Sequence, residues 1–334
     1  MTTTEVSPDT AAASRPRRAR GLRGVEIFTA VLVLAVLSRG WLAQHTASAR
    51  VQAWFTVFVS IVIQATPFVV LGTVLSAAIA VLVPTGFFAR ALPRHPVLAV
   101  PVAGAAGAVL PGCECGSVPV AGALVRRGVP PAAALAFLLS APAINPVVLV
   151  ATSVAFPGRP SMVVARLVAS LLASTAMGWL WLRLGRADWL RPVSRPELDG
   201  LRRGPAFLAA CRHDMTQAGG FLVIGAGMAA TMNIAMPAGW LHAVAQHTAL
   251  SVAALAVLAV VLSICSEADA FVAASLTQFS LTARLAFLVV GPMVDLKLFA
   301  MQAGAFGRRF AVRFAPATFV VAVAAAVTVG SLLW

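Results

Sequence analysis

Pro111-Gly112-Cys113-Glu114-Cys115-Gly116-Ser117-Val118-Pro119 interrupts an apolar stretch that runs from about residue 97 to 125. Proline and glycine at this density break a helix and free backbone groups. In lipid, such a break survives only where protein or a water-filled cavity satisfies those groups. Two thiols and a carboxylate therefore sit where the chain leaves helical geometry inside an apolar run.

Working outward, the same kind of break recurs three times. One is Cys265-Ser266-Glu267-Ala268-Asp269. The others form a second pair, Ala141-Pro142-Ala143-Ile144-Asn145-Pro146 and Gly291-Pro292-Met293-Val294-Asp295. They belong to an internal repeat. Gln64, Phe68, Gly72 and Pro84 match Gln217, Phe221, Gly225 and Pro237, each 153 residues on. Cys113, Val120, Ala121 and Leu124 match Cys265, Val272, Ala273 and Leu276 at 152, and Ala136-Phe137-Leu138, Pro142 and Asn145 match Ala286-Phe287-Leu288, Pro292 and Asp295 at 150. A spacing that shifts only between blocks records small loop deletions, and repeats with paired broken segments mark secondary transporters.

The rest of the chain is an equally poor fit to water. Of its 334 residues, 60% are hydrophobic and 11% charged, with a mean hydropathy of +0.91. A soluble domain carries roughly 25% charged residues. Apolar runs of the roughly 20 residues that a bilayer requires lie near 25–43, 51–83, 97–125, 131–155, 161–184, 207–236, 243–278, 282–306 and 311–333. The expected fold is an all-α polytopic membrane protein. It has two homologous halves, related by inversion, with broken or re-entrant helices and one extra N-terminal helix. Residues 1–24 read as a disordered basic cytoplasmic tail and 25–50 as the extra transmembrane helix. The stretch 25–43 with Ala47-Ser48-Ala49 also has the look of a signal peptide, but its apolar run is long and an uncleaved helix is expected. The first repeat spans 51–184, a basic cytoplasmic linker 185–206, and the second repeat 207–334.

The net charge of +14 is not a nucleic-acid signature, because the arginines sit between apolar runs. Basic residues in such places mark cytoplasmic loops. If 97–125 and 243–278 are re-entrant hairpins and the N-terminus is inside, 19 of the 25 basic residues fall on the inner side. Arg39, Arg50, Arg159, Arg166 and Arg284 then fall outside, with Lys297 within the membrane. If every segment crosses, the split is even and the bias disappears. The arginine count favours seven crossings and two hairpins.

Seven of the 11 acidic residues, Asp214 among them, read as lying in tails, loops or near helix ends. The other four, Glu114, Glu267, Asp269 and Asp295, fall in the breaks, with Lys297 beside them. An ionisable group in the membrane costs at least about 2.5–3.5 kcal/mol on insertion scales and is functional by default. A structural alternative is that Lys297 pairs with one carboxylate to hold the halves together. The thiols of Cys113 and Cys115, with Cys265 from the other half, are soft ligands that suit a thiophilic metal ion, and trivalent arsenic shares that softness. Carboxylates beside thiols can take the proton released when a thiol binds metal. Cys211, on an ordinary helix, reads as a packing residue. Gln64 and Gln217 line a cavity or bond across helices.

At these breaks the sequence resembles the predicted permeases of the YraQ/ArsP type, some of which export trivalent organoarsenicals. The resemblance rests on Cys113-Glu114-Cys115-Gly116-Ser117-Val118-Pro119-Val120, Ser140 to Pro146, Cys265 to Phe271 and Gly291 to Lys297, and with their helices covers most of 51–310. The arsenical exporters resemble a Cys-Ser-Cys pattern at the first break, where this chain has Cys113-Glu114-Cys115. Relatives with the glutamate form are linked with metal homeostasis and often stand beside a second small membrane protein. The resemblance thus implies one subunit of a two-part permease.

The sequence reading is a multi-pass permease of the bacterial plasma membrane, a secondary transporter that exports a soft metal ion or trivalent (organo)arsenical, and not an enzyme. Cys113, Cys115 and Cys265 are its metal or metalloid ligands. Glu114, Asn145, Glu267, Asp269 and Asp295 complete the substrate site, and Glu267, Asp269, Asp295 and Lys297 carry coupling and charge balance. No cofactor is expected. The expected partners are the lipid bilayer, a small membrane subunit and a second copy of the chain. No P-loop of the form G-x-x-x-x-G-K-[ST] is present. The rivals are a membrane thiol oxidoreductase using the same cysteines and a scaffold subunit that moves nothing.

Overall fold

The computed structural model describes residues 49–84, 87–109, 113–190, 202–235 and 248–334. The expected tail (1–24), most of the extra helix (25–50), Pro111 and Gly112 of the first break, and part of the 185–206 linker lie outside the described residues.

Described residues form only helices and connecting turns: α1 (Ala49–Leu82), α2 (Phe87–Ala91), α3 (Pro96–Ala106), α4 (Glu114–Arg126), α5 (Pro131–Ile144), α6 (Pro146–Ala155), α7 (Pro160–Leu184), α8 (Arg203–Ala235), α9 (Thr248–Leu262), α10 (Asp269–Ser275), α11 (Leu281–Met293), α12 (Leu296–Phe306) and α13 (Arg308–Leu333). Among the described residues, six elements are long and apolar enough to cross a membrane: α1, α5 with α6, α7, α8, α11 with α12, and α13. They coincide with six of the seven crossings that the arginine count requires. The seventh lies outside the described residues.

The two stretches expected as hairpins each contain a break between short helices. In the first, Gly107 sits against Ser140 and Ala141, while Val100 clusters with Ala132 and Ala136. The arm α3 therefore runs parallel to α5. Its companion α4 joins α5 through the short turn Arg127–Pro130 and packs against it, so it runs antiparallel. The second half repeats this. Ala259 of α9 lies level with Gly291 of α11, and the end of α10 meets the start of α11, where Arg284 Nε donates to the Leu276 carbonyl at 2.8 Å. Each hairpin thus returns to the end of the bundle at which it started.

The two spans that carry breaks are split by a capped kink at matching positions. Asn145 is extended (φ −64°, ψ 157°), and its Oδ1 accepts from Val148 N at 2.9 Å while Nδ2 donates to the Ala141 carbonyl at 3.2 Å. Asp295 is also extended (φ −143°, ψ 171°), and its Oδ1 accepts from Leu298 N at 2.6 Å. Asn and Asp satisfy the open amides at a helix start, and Pro142 and Pro292 stand in the last turn before each kink. The halves then interlock: α12 packs on α4, and α6 packs on α10. The long helices α1 and α8 run antiparallel to each other, with Trp54 bonded to Thr231 at one end and Ser76 to Asp214 at the other.

Glycine permits the crossings nearest the centre. A Cβ on Gly72 of α1 would stand 2.5 Å from the Gly116 carbonyl oxygen of α4, and one on Gly225 of α8 2.5 Å from Lys297 Cα of α12. Small residues of this kind let membrane helices approach backbone to backbone. Gly72→Ala is expected to cost about 1–3 kcal/mol through overpacking. Gly220→Ala, which meets nothing within 4 Å, should be neutral or slightly stabilising. Apparent unfolding temperatures in detergent check the pair.

Candidate functional site

The four breaks converge. Cys113 precedes the first turn of α4 and places Glu114 as its first helical residue. In the other half, the chain leaves α9 at Leu262, and Cys265 to Ala268 turn into α10 at Asp269. Glu114, Asp269, Asp295 and Lys297 are all at most 2% exposed. In an apolar interior such charges persist only when paired and hydrogen-bonded.

The pairings cross between halves. Lys297 Nζ of the second half lies 2.6 Å from Glu114 Oε1 of the first and 3.7 Å from Asp295 Oδ2, and donates to the Ser263 carbonyl at 2.9 Å. Ser266 Oγ donates to Glu114 Oε2 at 3.3 Å. Cys265 Sγ donates to Glu267 Oε2 at 2.8 Å. The Cys113 and Cys265 sulfurs and a Glu114 oxygen all lie within 4.8 Å of one another, so one group drawn from both halves could hold a metal ion. Cys115 is fully buried beside them but stands outside that group of three.

Arg166 is the residue that sequence reasoning missed. The arginine count gives it no role beyond its side of the membrane, yet it is fully buried within α7. Its two terminal nitrogens reach both oxygens of Asp269, each at 3.0 Å. They also donate to Thr152 Oγ1 at 2.9 Å and to the Ser266 carbonyl at 3.2 Å. A guanidinium fork suits this bidentate arrangement. Asp269, expected as a free ligand and proton carrier, is therefore engaged by a cation of the other half. The available signal was position, since Arg166 stands nearly two turns inside a helix that starts at Pro160.

Asp214 also departs from the expected placement near a helix end. It lies within α8, is 6% exposed, and accepts from Ser76 Oγ of α1 at 2.6 Å. With Arg126 and Gln217 it lines a small cavity between α4, α8 and α12. Gln217 Nε2 donates to the Gly304 carbonyl at 2.8 Å, as the cross-helix reading expects, and Gln64 lines a separate cavity with Thr56 and Ser60. Asn145 binds backbone on both sides of its break and acts there as a cap. Cys211, with its sulfur 4.0 Å from the Thr73 carbonyl, stays away from the thiol site.

If Glu114, Glu267, Asp269 and Asp295 are all ionised, Lys297 and Arg166 leave two negative charges uncompensated. Such a centre favours a cation over an anion. A cavity of about 250 Å³ reaches Cys113 from the side of α1 and is lined by Phe68, Gly72, Leu75, Val120 and Phe137. Its outer wall includes Leu71 and Val74, which are exposed on the flank of the bundle. The thiol thus borders both a charged cluster and an apolar space.

With this geometry in view, comparisons with known proteins give a consistent result. The profile of a family described as predicted permease matches residues 50–331. The chain is 37% identical over 285 residues to the UPF0718 protein YcgR of Bacillus subtilis, covering 83% of this chain and 95% of that one. It is 32% identical over 278 residues to a Streptococcus mutans protein named as a subunit of a two-component membrane permease complex, covering 81% and 92%. No solved structure matches the chain.

Proposed function

The chain belongs to this family of predicted permeases, and on that premise we propose that it is a secondary transporter of the bacterial plasma membrane for a soft metal ion or a trivalent organoarsenical. Its direction is efflux, its N-terminus is cytoplasmic, and its two halves are related by inversion. The antiparallel packing of α1 on α8, with three crossings in each half, supports the inversion. The observation that carries the reading is the Cys113–Glu114–Cys265 group, which takes thiols from both halves and a carboxylate between them.

Cys113 and Cys265 ligate the substrate, with Cys115, buried beside them, as a third thiol. Thiols release protons as they bind a metal or arsenical, and Glu267, already bonded to Cys265, takes one of them. Asp295 is the second coupling carboxylate, because its Oδ2 stands 3.7 Å from Lys297 while Glu114 holds the shorter contact. Asp269 and Arg166 hold the second break in place. The apolar cavity beside Cys113 gives room for the substituent of an organoarsenical. Work as one component of a two-part complex is supported by the name of the streptococcal relative.

Elemental accumulation measured by mass spectrometry tests this. Cells lacking the protein, and cells complemented with native or variant chains, are exposed to trivalent arsenicals, zinc, copper and cobalt. One element is expected to accumulate in the deletion strain. Native protein and Cys211→Ser restore its export, whereas Cys113→Ser and Cys265→Ser reduce it at least tenfold. Unchanged content for every element, with the protein and its neighbouring membrane component expressed, would overturn the soft-substrate reading. Export retained in Cys113→Ser would move the site elsewhere.

A further inference from the structure

The thiol centre leaves unused a separate basic and aromatic site where the end of α7 meets the start of α13. Trp181 stands edge-on to Phe310 and Phe314, at centroid separations of 5.5 and 6.2 Å. The short turn Ala187–Trp189 brings Trp189 back against Trp181 at 6.3 Å. Between these elements opens a cavity of about 210 Å³, lined by Met177, Leu180, Trp181, Trp189, Phe314 and, as its charged member, Arg313. Beside it Leu184 is 63% exposed, so the apolar lining continues onto the outer flank of the bundle.

Charge gathers at the same spot. The Arg313 guanidinium lies over the Trp189 ring, 4.6 Å from its centroid, and that of Arg186 lies 5.8 Å from the same centroid. Both side chains are exposed, as are Arg308 and Arg309 at the start of α13. Among the described residues no ion pair engages these four arginines. Asp188, exposed in the intervening turn, offsets one of the four charges.

We propose that this is a binding site for an anionic phospholipid, with the phosphate held by Arg186 and Arg313 and an acyl chain in the cavity between α7 and α13. Arg313 Nη1 donates to the Arg309 carbonyl at 3.3 Å, and the remaining N–H groups of a guanidinium stacked on an indole stay in its plane, where they match phosphate oxygens. The aromatic pocket accepts hydrocarbon but offers nothing to a bare inorganic phosphate. A zwitterionic lipid with the same chains would fill the pocket yet lose the net attraction of the arginines. Each basic side chain near an anionic headgroup favours binding about fivefold.

Native mass spectrometry of the full chain, delipidated in mild detergent, is the test. Phosphatidylglycerol and phosphatidylcholine of matched chains are titrated separately. Phosphatidylglycerol is expected to bind on the order of tenfold or more tightly than phosphatidylcholine. Arg186→Gln/Arg313→Gln removes that preference, weakening phosphatidylglycerol more than phosphatidylcholine. Arg183→Gln, which lines a different cavity with Val97 and Trp179, keeps it. Soluble glycerol phosphate at millimolar concentration does not displace the lipid. Equal binding of the two lipids by the native chain overturns the proposal, as does a preference that survives the double substitution. Displacement by glycerol phosphate assigns the site to a soluble phosphate compound and overturns the lipid. None of these readings depends on transport, so they stand apart from the fate of the thiol site.

Discussion

Lys297→Met is expected to destabilise the protein by about 3–5 kcal/mol, because it leaves Glu114 charged and buried without its cation. Lys297 is the short partner of Glu114, at 2.6 Å, and also pairs with Asp295, at 3.7 Å. Its loss therefore strips the centre of the charge that both carboxylates face. Glu114→Gln/Lys297→Met should regain more than half of the lost stability, since removal of both members of a buried pair leaves no orphan charge. The recovery is incomplete, because Asp295 keeps only the amide of Leu298. Transport should fail in both variants, which separates folding from function. Apparent unfolding temperatures in detergent, with export measured in parallel, check the cycle. If the double variant is as unstable as Lys297→Met, the pair does not act as a pair.

Arg166 carries the second large effect. Arg166→Gln is expected to cost about 3–5 kcal/mol by orphaning Asp269. Arg166→Lys should recover only part of this, because an ammonium offers a point charge where four contacts to Asp269, Thr152 and Ser266 use a planar fork. Arg166→Gln/Asp269→Asn should approach native stability. A second readout follows from geometry. Arg166 holds the Ser266 carbonyl, and Ser266 Oγ in turn reaches Glu114. Loosening that link in Arg166→Lys should quicken labelling of Cys265 by a maleimide, while Cys211 is unaffected. Labelling of Cys265 at the native rate would show that Arg166 does not position the break.

The breaks were legible because proline, glycine and charge are conspicuous in apolar runs. The spacing of those runs also located six helices that match the crossings. Asp214 was not legible for a reason of length. Its helix α8 has 33 residues, or about 50 Å, against a hydrocarbon core of about 30 Å. A sequence does not say which part of so long a helix lies in the core, so a charge well inside one reads as a charge at its end. The Cys-x-Cys spacing alone does not show that Cys265 of the distant half joins Cys113 and Glu114, with ligand atoms within 4.8 Å of one another. Long-range partners of this kind, 152 residues apart, are visible only after folding, although the internal repeat pointed to the right residue.

The counter-ions are exchanged: the first half lends Arg166 to Asp269, and the second lends Lys297 to Glu114. This bears on how the chain is made. Glu114 and Arg166 leave the ribosome roughly 100 or more residues before Asp269 and Lys297 do. For that interval each has no native partner, and the cost of an unpaired charge in lipid keeps the early helices from settling. The first half stays a provisional assembly until the second arrives. Biogenesis therefore completes only when residues near 263–297 have been inserted, and a nascent chain stalled before them presents the membrane's quality-control proteases with exposed, unneutralised helices.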